Sequence, residues 1–242
     1  MLRRTLLISA LASTLALAVP AHAATKTLKV GVTAGLHAEI LRQALPIAKK
    51  NGLDIKVIEF QDYVSPNEAL SHGDLDANIF QTLSYFELLN KQRNYGLAAV
   101  GKTITAPLTF YSKKWKSFSE IPTGARIAIP NDPSTEGRAL YVLQEAGIIK
   151  LKPSAGRTGT PLDIVSNPKK LKIVELDPAQ TPRAIDDLDA AAVNGNYAYI
   201  SGTARGGFQV FQRPARGFLS RSPRRTTSTT SWSARRTRTL PG

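Results

Sequence analysis

Residues 27–33 read TLKVGVT, residues 34–52 read AGLHAEILRQALPIAKKNG, and residues 54–60 read DIKVIEF. The two outer stretches are short and rich in β-branched residues, as strands are. The middle stretch places Leu36, Ile40, Leu41, Leu45 and Ala48 on a helical period, and Asn51-Gly52 closes it. A helix between two such strands is a crossover, and crossovers join parallel strands. The chain is therefore expected to be an α/β protein built on parallel sheet.

The alternation continues outward from this unit. PNEALSHG (66–73) reads as a short helix, LDANIFQ (75–81) as a strand, SYFELLNKQRNYG (84–96) as a helix and LAAVGKT (97–103) as a strand. A new series starts after Pro107: LTFYSKK (108–114), GARIAIP (124–130), the helix STEGRALYVLQEAG (134–147) and KLKIVEL (170–176). DLDAAAVNGNYAYI (187–200) ends the regular part. The change at Ala106-Pro107 marks a crossing between lobes, 24–106 and 107–200. No internal repeat is visible.

The first 23 residues, MLRRTLLISALASTLALAVPAHA, set two arginines before an apolar run from Leu6 to Val19 and end in a small-residue A-x-A site. That is the pattern of a cleaved signal peptide, and the run is shorter than the ~18 residues that cross a bilayer. The mature protein is expected to begin near Ala24 and to be soluble outside the cytoplasmic membrane.

The chain has no cysteine, which excludes disulfides, thiolate metal sites, a cysteine nucleophile and a lipid-acceptor cysteine. The formal charge is +14, but nine arginines and no lysine or acid fall in 201–242 and two more arginines in the leader. The body between them is nearly balanced, which argues against a nucleic-acid partner.

Five blocks resemble the NlpA family of methionine-binding lipoproteins. They are VGVTAGLHAEIL (30–41), VIEFQDYVSPNEAL (57–70), GDLDANIFQTLSYFE (73–87), AIPNDPSTEGRAL (128–140) and DAAAVNGNYA (189–198), in family order. The resemblance implies a two-lobed periplasmic-binding-protein fold with a ligand cleft between the lobes, closing by hinge motion. It implies a monomeric solute-binding protein that captures methionine or a related amino acid and passes it to the membrane subunits of an ABC importer. Other small amino acids or short peptides stand as the alternative ligands.

A zwitterion with a thioether tail needs a carboxylate partner, polar groups for the ammonium and an aromatic slot. Arg138 offers a bidentate fork from a helix that follows a turn. Asn194 and Asn196 of NGNYA, with Asn131 from its turn, offer amides, and the resemblance favours Asn196. Tyr63, Phe80 and Tyr85 match the aromatic positions of the family's slot. Thr82 stands where family members carry a histidine after Phe-Gln, so a short hydroxyl replaces a ring.

His37 matches a family histidine, but no second histidine or cysteine lies nearby to make a metal site, and a helix-start hydrogen bond is expected of it; His72 is expected to cap a turn. G-x-S-x-G, Walker and G-x-G-x-x-G patterns are absent, so neither an enzyme nor a cofactor is expected.

Beyond Ile200 neither helical nor strand periodicity is visible. A basic disordered tail for nucleic acid or anionic membrane is one reading. The other is that 201–242 is not the family's own sequence, which should continue with a helix and a final strand returning to the first lobe. Codons chosen within the allowed sets for Pro223–Ser233, read two nucleotides later, give Ala-Pro-Tyr-Tyr-Val-Asn-Tyr-Val-Leu-Val. A frameshift after about Ile200 accounts together for the arginines, the missing acids and the lost periodicity. On this reading the first lobe loses part of its sheet and exposes an edge.

The leader reading predicts an exported form starting at Ala24 and carrying no lipid. Intact-mass spectrometry decides it: a mature chain retaining Met1, or one with an acyl mass, contradicts the prediction.

Overall fold

The computed structural model describes residues 26–104, 106–203, 208–211 and 230–235. The signal-peptide segment lies outside them. The first lobe runs β1 (Lys26–Thr33), α1 (Leu36–Lys50), β2 (Leu53–Phe60), α2 (Ser65–His72), β3 (Ala77–Thr82), α3 (Leu83–Gln92) and β4 (Leu97–Lys102). β1 pairs in parallel with β2, Val30 opposite Val57, and with β3, Val30 opposite Ala77. The parallel crossover unit therefore forms where the hydrophobic periods place it.

The second lobe runs β5 (Leu108–Ser112), β6 (Arg126–Pro130), α4 (Pro133–Glu145), a small β7–β8 hairpin (Lys150–Leu151 and Ile164–Ser166), β9 (Lys172–Leu176), α5 (Thr181–Asp187), β10 (Ala190–Asn194) and α6 (Gly195–Ile200). Two 3-10 turns, Pro153–Thr158 and Pro161–Asp163, lie inside the hairpin. The hairpin and α5 are too short to show a period, and sequence patterning did not reveal them. β11 (Phe208–Phe211) pairs antiparallel with β5, giving the sheet order β11-β5-β10-β6-β9.

The structure differs from the sequence reading in the tail. Thr230–Arg235 forms β12, inserted antiparallel between β3 and β4, so the first sheet has the order β2-β1-β3-β12-β4. Thr230 stands opposite Thr82, and Ser233 opposite Asn78 and Ala99. The physical reason is that ladder pairing uses backbone N–H and C=O groups, which a polar segment supplies as well as an apolar one. Side-chain periodicity does not report that.

Each lobe buries its own apolar cluster. In the first, Val30, Val32, Ala38, Leu41, Ala77 and Ile79 pack between sheet and α1, and Leu70, Leu75, Phe86 and Leu97 pack under α2 and α3. In the second, Phe110, Ile127, Ile129, Leu140 and Leu143 are fully buried. A polar cluster sits inside the first lobe: Asn67 and Gln81 exchange two side-chain hydrogen bonds of 2.8 Å, and Asn78 Nδ2 donates to Asn67 Oδ1 and the Pro66 carbonyl at 3.0 Å. An unpaired buried amide costs about 1–3 kcal/mol, so mutual pairing fixes α2 against β3 in one register.

By strand order the chain passes from the first sheet to the second between β4 and β5, and from β11 back to β12. The start of α6 touches the first of these passages: the Gly195 N–H donates to the Pro107 carbonyl at 2.8 Å. A Cβ on residue 195 would lie 2.9 Å from that oxygen and 3.1 Å from Ala106 Cβ, so glycine is what lets the two segments meet.

Candidate functional site

Beside this contact a cleft opens between the lobes. Its first-lobe wall is aromatic. Phe80 at the end of β3 packs 6.1 Å from both Tyr63 and Tyr85, centroid to centroid, and Tyr63 packs 5.0 Å from Tyr197 of α6. The Tyr85 hydroxyl donates to the Tyr63 carbonyl at 2.8 Å, which fixes the loop carrying Tyr63. Burial pushes the Tyr63 and Tyr85 phenols up, and the nearby Asp132 carboxylate raises both further, so they present neutral rings.

Thr82 caps α3: its hydroxyl accepts from the Tyr85 N–H at 3.2 Å and meets Ser84 Oγ at 3.1 Å. Thr82 therefore orients the helix that carries Tyr85, and it also lines the cleft.

The second-lobe wall is polar. Asp132 is the N-cap of α4, with Pro133 in the first turn. Its Oδ1 accepts from the Thr135 N–H at 3.0 Å and from Ser134 Oγ at 3.1 Å, whereas Oδ2 is buried with no partner among the described residues. Burial pushes this carboxyl up, opposed by those hydrogen bonds and by the charge of Arg138. Arg138 lines the cleft from the second turn of α4, beside Ser134 and Thr135. The side chain of Asn194 bonds the Tyr63 hydroxyl, and its Oδ1 is buried without a partner among the described residues.

Seven of the eight residues singled out from sequence thus surround one cleft: Tyr63, Phe80, Thr82, Tyr85, Arg138, Asn194 and Asn196. Asn131 does not line it; it is exposed, and its backbone N–H donates to the Leu176 carbonyl at 2.8 Å. The two NGNYA asparagines have different partners. Asn196 Oδ1 accepts from the Leu36 N–H at 3.0 Å and its Nδ2 donates to the Ala34 carbonyl at 2.9 Å, so its amide is committed to first-lobe backbone.

Sequence reasoning passed over Asp132, Ser134, Thr135, Gln81 and Leu108, which also line the cleft. Asp-Pro before a helix reads as capping chemistry, and capping uses only one carboxylate oxygen; the second was the signal. His37 lines the cleft too. Its Nδ1 lies 3.1 Å from Thr33 Oγ1, and burial holds its imidazole down at about 4, neutral at neutral pH.

Residues 28–209 match the NlpA lipoprotein family. The chain is 49% identical over 175 residues to the D-methionine-binding lipoprotein MetQ of Salmonella typhimurium, a match covering 72% of this chain and 65% of that protein. MetQ of Escherichia coli K12 gives the same identity and coverage. The chain thus spans about 65% of the length of these curated relatives. In three dimensions it is similar to a nutrient-binding protein from Burkholderia cenocepacia bound to methionine, with TM-score 0.79, 45% identity and coverage of 86% of this chain and 84% of that one. No helix among the described residues is long and apolar enough to cross a membrane.

Behind the polar wall, Glu136 of α4 is 6% exposed, and its Oε1 has no partner among the described residues. Burial, together with the charge and hydrogen bond of Glu175 on β9 and the charges of Asp132 and Asp163, pushes its carboxyl up to about 7 from 4.5. The folded state then holds a proton that the unfolded chain has released, so this group's contribution to stability falls as pH rises from about 4.5 to about 7 and is flat above. Glu136→Gln is expected to remove that slope while keeping a donor to Glu175. Urea midpoints at pH 5, 6, 7 and 8 for both proteins check it; a difference between the two profiles that stays constant with pH contradicts the shared proton.

Proposed function

The chain belongs to the NlpA lipoprotein family, and from that premise we propose that it captures methionine or a related amino acid between its lobes and delivers it to an ABC importer. The observation that carries the reading is the opposition of the two walls. Arg138 stands near two buried, unpartnered oxygens, Asp132 Oδ2 and Asn194 Oδ1, and faces a slot of three aromatic rings. A guanidinium takes a carboxylate in a fork, the two oxygens accept from an ammonium, and rings receive a thioether. The likeness to a protein bound to methionine supports the same ligand class.

The reading is one of binding without turnover, by a monomer exported to the periplasm, with no cofactor, metal or nucleic acid. Thr82 in place of a ring widens the choice of ligand, and a short peptide is the second candidate.

The tail bears on affinity. The family match stops at residue 209, and the arginine-rich segment follows. With the codons chosen above, the shifted reading Tyr-Val-Leu-Val falls on the start of β12, a central strand of the first sheet. The end of the family match and this coincidence support a change of reading frame after about Ile200. Nucleotide sequencing across this region is expected to show an insertion or deletion relative to close relatives; one uninterrupted frame of equal length overturns it.

Calorimetric titration with L-methionine, D-methionine and glycyl-methionine tests the ligand. Arg138→Ala is expected to lose about 2–5 kcal/mol of binding, because a desolvated carboxylate is left unpaired. Arg138→Lys restores only part, having no fork. Unchanged affinity in Arg138→Ala means the carboxylate is held elsewhere, and glycyl-methionine binding more tightly than either enantiomer favours the peptide reading.

A further inference from the structure

α1 begins without a cap of its own. Its N-cap position is Gly35, which has no side chain to accept from the first-turn amides. Gly35 adopts φ +92, and a Cβ there would lie 2.5 Å from Ile200 Cγ1 and 3.2 Å from Asn196 Oδ1. The helix start is therefore shaped to receive α6 rather than to cap itself.

What arrives is Asn196. Its Oδ1 accepts from the N–H of Leu36, the first residue of α1, and its Nδ2 donates to the Ala34 carbonyl just before the helix. The side chain is 2% exposed, and it also bonds His37 one residue further along α1. Two neighbours on α6 reach the same lobe: the Tyr197 hydroxyl donates to the Gln61 carbonyl at 3.1 Å, and the Tyr199 hydroxyl to Glu39 Oε2 at 2.6 Å. Asn196 lies one residue beyond Gly195, which meets the Pro107 carbonyl of the interlobe passage, and two beyond Asn194, which lines the cleft and whose Oδ1 is buried without a partner among the described residues.

We propose that Asn196 is the cap of α1 supplied across the cleft from α6 of the second lobe, and that this cap is a positioning device which sets Asn194 and the second-lobe wall relative to the first lobe. Asn196 then acts on the ligand through its neighbours and not by touching it. The second half of the proposal rests on the ligand reading above.

Backbone hydrogen exchange on the ligand-free full chain tests the cap independently of any ligand. Asn196→Ala is expected to speed exchange of the Leu36 amide by roughly five- to thirty-fold, the loss of one cap. Asn196→Asp keeps the acceptor for Leu36 and adds a charge favourable at a helix start, but loses the donor to the Ala34 carbonyl, so it restores part of the Leu36 protection; Asn196→Leu, of similar size with no acceptor, restores none. L-Methionine titration should follow the same order, with Asp binding more tightly than Leu or Ala. Equal Leu36 exchange in Asp and Leu variants overturns the cap, and this pair decides even where Asn196→Ala fails to fold. Altered exchange with equal L-methionine affinity in all variants overturns the positioning role. A wild type that shows the exchange pattern but binds no methionine sinks the ligand reading and leaves the cap standing.

Discussion

The 2.8 Å bond from Gly195 to the Pro107 carbonyl ties the junction of β10 and α6 to the passage that joins the lobes. Both segments line the cleft, Ala106, Pro107 and Leu108 from the passage and Asn194, Gly195 and Asn196 from the junction. A Cβ at 195 would lie 2.9 Å from the Pro107 oxygen, so a side chain there would have to displace one segment from the other. Hinges absorb motion in a few residues, and close packing elsewhere makes each lobe move as a body.

The two walls divide the chemistry. The aromatic slot of Tyr63, Phe80 and Tyr85 belongs to the first lobe, and the charged and amide groups Asp132, Arg138 and Asn194 belong to the second. On the proposed reading an amino acid meets its polar partners on one body and its apolar partners on the other. Neither lobe alone completes a site, so ligand binding energy is available to hold the lobes together.

The crossover units and the strands up to β10, apart from the short β7 and β8, were legible from sequence because each leaves a period: β1, α1 and β2 fall within a residue or two of where Thr27–Phe60 places them. The aromatic residues were legible only through the family resemblance. The cleft residues were legible as a set but not by role. Asn194 and Asn196 are the same residue type two positions apart, and only their surroundings distinguish a free oxygen from a helix cap. Asp132 was hidden by its capping function. β12 left no signal because backbone pairing in a central slot carries no side-chain period.

The position of β12 has a consequence for the order in which the chain folds. Thr82 and Lys102 must wait for Thr230 and Ser231, although both lie in the part of the chain made first. Contacts of such wide sequence separation form late, after their loop-closure entropy has been met. Until then β3 and β4 are two facing strand edges with a gap between them, a template for any extended segment nearby. The second lobe also pairs distant strands, β5 with β10 and with β11, but all of its strands precede β12 in the chain. The lobe synthesised first is therefore the one completed last, and its half-built sheet is the species most exposed to mispairing.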